Sequence, residues 1–158
     1  MLKRDVYVSA TIYGDNLDPD FWSTFFDALP ETVAKRGGAI FFRGHKRGAA
    51  VANIGLWGFS TKEYSKSQSL DEHLAILDRE LRLTRPELRT SLAARGELLK
   101  ISYYINEYEL RQPSKFVPVL EPASEAILES CGAKVEFDIY PQIIKFIHPD
   151  GREEDMLA

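Results

Sequence analysis

The stretch that decides the fold runs from Asp5 to Tyr13 and reads DVYVSATIY. Apolar residues occupy every second position from Val6 to Ile12, and Tyr, Ser and Thr occupy the positions between them. This alternation, in a segment rich in β-branched and aromatic residues, predicts a strand with one face on a core. The chain therefore opens with a strand of a sheet that is covered on one side.

The same reasoning, applied to the rest of the chain, predicts alternating strands and helices. Capping residues and apolar side chains at helical spacing predict helices over 19–29, 70–81, 86–95 and a segment that ends at Cys131. Further strands are predicted at 39–42, 50–60, 99–106 and 135–140, with a hairpin loop from Arg43 to Ala49. We expect an α+β domain with a mainly antiparallel sheet, helices packed on one face, and a ferredoxin-like βαββαβ order followed by an extra αβ unit.

Length and composition fit one domain. The chain has 158 residues, of which 44% are hydrophobic and 28% charged, an ordinary globular composition. We assign residues 1–141 to a single α+β domain and residues 142–158 to an extension, a short strand or strap followed by a frayed acidic tail.

The single cysteine, Cys131, excludes an internal disulfide and fits a small core residue in a reducing cytoplasm. Neither a signal-peptide core nor a membrane span is recognisable, so a cytoplasmic location is expected.

The charge distribution is uneven. The segment from Thr32 to Lys62 contains no Asp or Glu, holds six of the ten glycines and carries +6, which leaves −10 for the remainder of the net −4. Such a basic, glycine-rich segment can attract an anionic partner, or it can be a solvated hairpin that protects an edge strand. The candidate binding residues in it are Arg43, His45, Lys46, Arg47, Trp57, Ser60 and Thr61. Trp57 would anchor a partner only if it is exposed, and core packing is its ordinary role.

Sequence motifs for catalysis or cofactor binding are absent. The three histidines lie far apart without metal-ligand spacing, and no phosphate-binding glycine loop occurs. We therefore predict no metal, no cofactor and no catalytic residues. An enzyme hypothesis remains open as an alternative: a hydrolase-type site using Asp15, Arg43 and His45, with Thr61 nearby.

Several short motifs together resemble a known bacterial family. They are Tyr13-Gly14-Asp15, Asp18-Pro19, Trp57, Ser60-Thr61, the leucine-rich helix over residues 70–77, Gly132-Ala133 and Asp138-Ile139-Tyr140. In order and spacing, over residues 5 to 141, the chain is similar to the family called domain of unknown function 4279. The family has no established activity, so the resemblance implies a fold and a bacterial source but assigns no site residues.

The function expected from the sequence is that of a non-catalytic, protein-binding module, immunity-like or regulatory. Its partner is expected to be another protein, attracted by the basic segment. Binding of nucleic acid or another anion through residues 32–62 is a second possibility, weakened by the acidic remainder of the chain. The hydrolase-type enzyme is a third.

Overall fold

The computed structural model describes residues 3–108, 118–140, 143–147 and 149–157. The strands in these ranges are β1 (Lys3–Gly14), β2 (Thr32–Ala34), β3 (Ala39–Phe42), β4 (His45–Val51), β5 (Gly55–Ser60), β6 (Leu98–Tyr108), β7 (Lys134–Tyr140), β8 (Ile143–Ile147) and β9 (Glu153–Leu157). The helices are α1 (Pro19–Phe26), α2 (Leu70–Leu81), α3 (Pro86–Arg95) and α4 (Pro122–Cys131).

Seven strands form one sheet in the order β4-β3-β2-β5-β1-β6-β7. Neighbouring strands run antiparallel except β6 and β7, which are parallel. The predicted α+β class with a mainly antiparallel sheet is confirmed. The ferredoxin-like βαββαβ order is not confirmed, because four strands rather than two lie between α1 and α2.

The helices pack on one face of this sheet. β1 directs Val6, Val8, Ala10 and Ile12 into the core, where each is at most 6% exposed, and both α1 and α2 contact the central strands. The alternate residues of β1, from Tyr7 to Tyr13, are only partly buried. We call their side of the sheet the open face. It follows directly from the alternation in the DVYVSATIY stretch.

Helix ends follow local sequence signals. The side chain of Asp18 accepts a hydrogen bond from the N–H of Asp20 (3.1 Å), and Ser69 accepts one from the N–H of Glu72 (3.2 Å), as N-cap residues do. α1 ends at Phe26 instead of Leu29, because Asp27 adopts a left-handed conformation (φ 51°). Leu29 is consequently 87% exposed and is not part of the helix's apolar face.

The segment between α1 and β5 differs most from the prediction. β2 has three residues, too few for an alternation pattern to reveal. The predicted loop from Arg43 to Ala49 is instead a two-residue turn, Arg43 and Gly44, followed by β4. β5 correspondingly begins at Gly55 rather than at residue 50. β4 lacks an apolar alternation, so its extended structure depends on pairing with β3.

The C-terminal extension is also more ordered than predicted. β8, at the predicted short strand, pairs antiparallel with β9. The tail after Pro149 is therefore not frayed over Glu153–Leu157, because its backbone bonds to β8. The division of the chain into residues 1–141 and 142–158 stays a prediction.

Candidate functional site

The basic segment forms one edge of the sheet. β4 is the outermost strand, and all seven of its residues are exposed. It is joined to β3 by the turn at Arg43 and Gly44, both of which have positive φ (49° and 80°). A two-residue turn of this kind suits the right-handed twist of a hairpin. Arg43 is held there by its own N–H, which donates to the carbonyl of Glu31 (2.7 Å).

The side chain of Arg43 is paired within the protein. Its Nη2 donates to Glu63 Oε1 (2.7 Å) and lies 3.6 Å from Glu31 Oε2. The hydrogen bond from Arg43, together with its charge, lowers the pKa of Glu63 below the ordinary glutamate value. Arg43 is thus neutralised in place, and its charge is less available to a partner than the sequence suggests.

The first three residues of β4 present their polar side chains to solvent. His45, Lys46 and Arg47 are exposed on β4. Arg47 stacks on the ring of Phe42 (4.6 Å to the ring centre), and Arg43 approaches the same ring (5.1 Å). Within the described ranges, neither Lys46 nor Arg47 has a carboxylate within 4.0 Å. At this edge of the sheet, the positive charge that no carboxylate neutralises therefore lies at Lys46 and Arg47.

Trp57 cannot anchor a partner, because it is fully buried. Its indole stacks on Phe26 (4.9 Å between ring centres), and its Nε1 donates to Ser23 Oγ (3.0 Å). Both contacts join β5 to α1. The exposure that a binding role requires is missing, and Trp57 is a core residue, as large aromatic residues on strands usually are.

Ser60 and Thr61 are also enclosed. Ser60 Oγ donates to Glu31 Oε2 (3.1 Å). Thr61 Oγ1 accepts from the N–H of Val8 (3.0 Å) and lies 2.7 Å from Nδ1 of the buried His73. These hydroxyls tie the end of β5 to its neighbours, so of the seven candidate residues only the four on the β3–β4 hairpin face solvent.

The residues of the hydrolase hypothesis do not form one cluster. Asp15 pairs with Arg36 (3.7 Å), and Arg43 pairs with glutamates as described above. Thr61 lies in the core, and His45 is exposed on the edge strand. Within the described residues, no hydrogen bond or ion pair joins Asp15, Arg43, His45 and Thr61 to one another.

Cys131 lies in the core, as predicted. It is 1% exposed, and its Sγ donates to the carbonyl of Leu128 (3.4 Å). Burial raises the pKa of the thiol, so the thiolate that nucleophilic chemistry needs is disfavoured.

The open face carries a feature that the sequence reasoning missed. Tyr7 of β1 and Tyr104 of β6 are paired across the sheet, and their rings stack with centres 4.5 Å apart. A cavity of about 330 Å³ lies on one side of the stack. A second cavity of about 190 Å³, lined in part by Gly58, lies on the other side. Alternation assigns each tyrosine to the outward side of its strand. Their contact depends on the register between β1 and β6. Because the two tyrosines are 97 positions apart in the sequence, no local pattern reveals that they meet.

The described residues contain neither a metal centre nor a membrane-spanning helix. Among them, no group of three or more His, Cys, Asp or Glu side chains is placed to hold a metal ion. Within the same ranges, no helix combines the length and apolar character needed to cross a bilayer.

Comparison with known proteins identifies the family of the chain. Residues 4–142 match the family described as domain of unknown function (DUF4279), and the chain belongs to that family. No curated protein and no solved structure matches the chain. The function is therefore inferred from the geometry of the β3–β4 hairpin and of the open face.

Proposed function

We propose that this protein is a non-catalytic binding module, immunity-like or regulatory, that recognises an acidic surface of another protein through the β3–β4 hairpin. One observation carries the proposal: Lys46 and Arg47 stand unneutralised on a fully exposed edge strand of a protein with net charge −4. Local positive charge of this kind speeds encounter with an acidic partner. The single buried cysteine supports a role in the bacterial cytoplasm.

Side chains of the β3–β4 hairpin are ordered before a partner binds. Phe42 lies against the guanidinium groups of both Arg43 and Arg47, and Arg43 is bonded to Glu63. Side chains that are ordered before binding lose less conformational entropy when a partner docks. Arginine and aromatic residues are also enriched among the side chains that dominate binding energy. We propose that Lys46 and Arg47 contact the partner protein directly and that Arg43 positions the turn of the hairpin.

Recognition through side chains is favoured over addition of a foreign strand. β4 carries Lys46 and Arg47, its pairing with β3 is irregular between Ala39 and Phe41, and Gly48 has φ 55°. Charges and irregular backbone on an edge strand oppose edge-to-edge pairing. Edge protection is also the competing explanation of the charges, and the experiment must distinguish the two.

The experiment compares three baits in an extract of the native host. The first is the wild type, the second is Lys46→Glu with Arg47→Glu, and the third is a matched control, Arg79→Glu with Lys134→Glu. The control changes the net charge equally at exposed lysine and arginine side chains on α2 and β7. We expect an acidic protein to be captured by the wild type and the control but not by the hairpin variant. Equal capture by all three baits would show that the hairpin only protects the edge.

Nucleic-acid or other anion binding is the second candidate. Lys62, at the end of the basic segment, lies over the ring of Tyr7 on the open face (5.6 Å). Basic side chains beside aromatic rings are typical of sites that bind single-stranded nucleic acid. The acidic remainder of the chain opposes it. A fluorescent single-stranded oligonucleotide should therefore bind weakly or not at all near physiological salt. Tight binding that is lost in the hairpin variant would favour this candidate over protein recognition.

A further inference from the structure

We propose that the 330 Å³ cavity beside the Tyr7–Tyr104 stack binds a small aromatic phosphate of the nucleoside monophosphate class. The cavity is at the lower end of the roughly 300–1,000 Å³ range of small-molecule sites. It lies between the open face and the segment that joins β5 to α2, and Lys62, Ser65, Lys66 and Asn106 also line it. The cavity is separate from Lys46 and Arg47, the two hairpin residues assigned to partner contact, although Arg43 of the hairpin turn binds the neighbouring Glu63.

The charges at the cavity favour an anion. Lys62 and Lys66 line it, and neither has a carboxylate within 4.0 Å in the described ranges. Asp5 is the single acidic residue among the lining residues, which leaves an excess of one positive charge. Glu63, which lies between the two lysines in sequence, does not line the cavity and is hydrogen-bonded to Arg43, although both lysines also contribute to lowering its pKa. Lysine is a common phosphate ligand because its ammonium group acts as a compact point charge.

The polar and aromatic groups fit the rest of such a ligand. The Tyr7 and Tyr104 rings are nearly parallel (17°), and Lys62 Nζ lies 5.6 Å from the centre of the Tyr7 ring. Tyr104 covers one face of the Tyr7 ring and Lys62 lies over the other, so a nucleobase would gain stacking energy by replacing Lys62 on that face as Lys62 moves onto the phosphate. Ser65 Oγ accepts from the N–H of Ser67 (3.0 Å), which orients the hydroxyl. Asn106 also lines the cavity.

The test measures binding of adenosine monophosphate to the whole protein by two-dimensional amide NMR. Adenosine and inorganic phosphate are the comparison probes, because each carries one half of the ligand. We expect adenosine monophosphate to bind at least about tenfold more tightly than either, which corresponds to 1.4 kcal/mol or more. The shifted resonances should lie at residues 5–7, 62–66 and 104–106. Binding no tighter than that of inorganic phosphate would overturn the proposal.

Matched variants test the residues. Lys62→Gln with Lys66→Gln should weaken adenosine monophosphate binding at least about tenfold, whereas Lys35→Gln with Lys134→Gln, which removes the same charge from exposed positions elsewhere, should leave it unchanged. All four lysines are on strands or loops at the surface, and thermal melts check that each variant folds. Equal affinity of wild type and Lys62→Gln/Lys66→Gln would contradict the proposal. Capture of a protein by the hairpin is unaffected by either result.

Discussion

The guanidinium of Arg43 donates a 2.7 Å hydrogen bond to Glu63, which ties the turn of the β3–β4 hairpin to the segment that follows β5. The two side chains are 45% and 62% exposed. Water screens an ion pair at such a position, so it contributes little to stability. Its effect is on orientation: it fixes the turn of the β3–β4 hairpin and binds the Glu63 carboxylate, on which Lys62 and Lys66 also act electrostatically.

The first prediction concerns protonation of Glu63. Arg43 lowers the pKa of this carboxyl, so the stabilisation is present above the unfolded-state pKa and is lost as the pH falls through the lower folded-state pKa. A carbon-detected NMR titration of the Glu63 carboxyl should give a lower midpoint in the wild type than in Arg43→Gln. Identical midpoints would show that the pair does not form in solution.

The second prediction contrasts two glycines of β5. A Cβ on Gly55 would lie 2.7 Å from the carbonyl oxygen of Gly14 and 2.9 Å from Leu17 Cβ, whereas one on Gly58 would meet nothing closer than 3.6 Å. Gly55→Ala should therefore lower the free energy of unfolding by about 1–3 kcal/mol, the usual cost of overpacking. Gly58→Ala should change it little. Urea denaturation of both variants makes the comparison, and equal stabilities would contradict the close approach of β1 and β5 at Gly55.

The third prediction concerns the buried hydroxyl of Thr61. His73 Nε2 lies 2.8 Å from the carbonyl oxygen of Ser67, which can only accept, so Nε2 carries a proton. His73 Nδ1 lies 2.7 Å from Thr61 Oγ1, which is also 3.3 Å from the carbonyl oxygen of Val8. Thr61→Val keeps the shape but leaves His73 Nδ1 and the N–H of Val8 without this partner. Thr61→Val should lower the free energy of unfolding by at least the ~1–3 kcal/mol that is lost when one buried polar group has no hydrogen-bond partner.

Its matched control is Thr11→Val on the open face, where the threonine is only partly buried. That substitution should leave the free energy of unfolding nearly unchanged. Similar losses in the two variants would mean that threonine stabilises these strands generally, and the hydrogen bonds of Thr61 would not explain its effect.

How far the sequence predicts the fold depends on how local the cause is. The alternation over residues 5–13 correctly predicts β1 and its buried side, because the period belongs to the strand itself. Ser69 and Asp18 likewise predict helix starts. β2 and β4 could not be predicted in this way, since their extended backbones depend on pairing with β5 and β3.

The candidate site shows the same limit. Composition singles out the basic segment, and in the structure its cations at residues 43–47 are exposed apart from their contacts with Phe42, Glu31 and Glu63. Whether Trp57 is anchor or core, and whether Arg43 is free or paired, depends on which elements pack against them. Tyr7 and Tyr104 meet only through strand register, so the open-face cavity is visible in three dimensions alone.

The most direct test of the account measures how fast the captured acidic partner associates with the protein, by stopped flow at low and at physiological salt. Lys46→Glu with Arg47→Glu should slow association by about tenfold or more and flatten its salt dependence, because long-range attraction sets the rate. Its thermal stability should match that of the wild type, since both side chains are exposed. An unchanged association rate with an unchanged salt dependence would contradict the account and leave the β3–β4 hairpin as a solvated edge of the sheet.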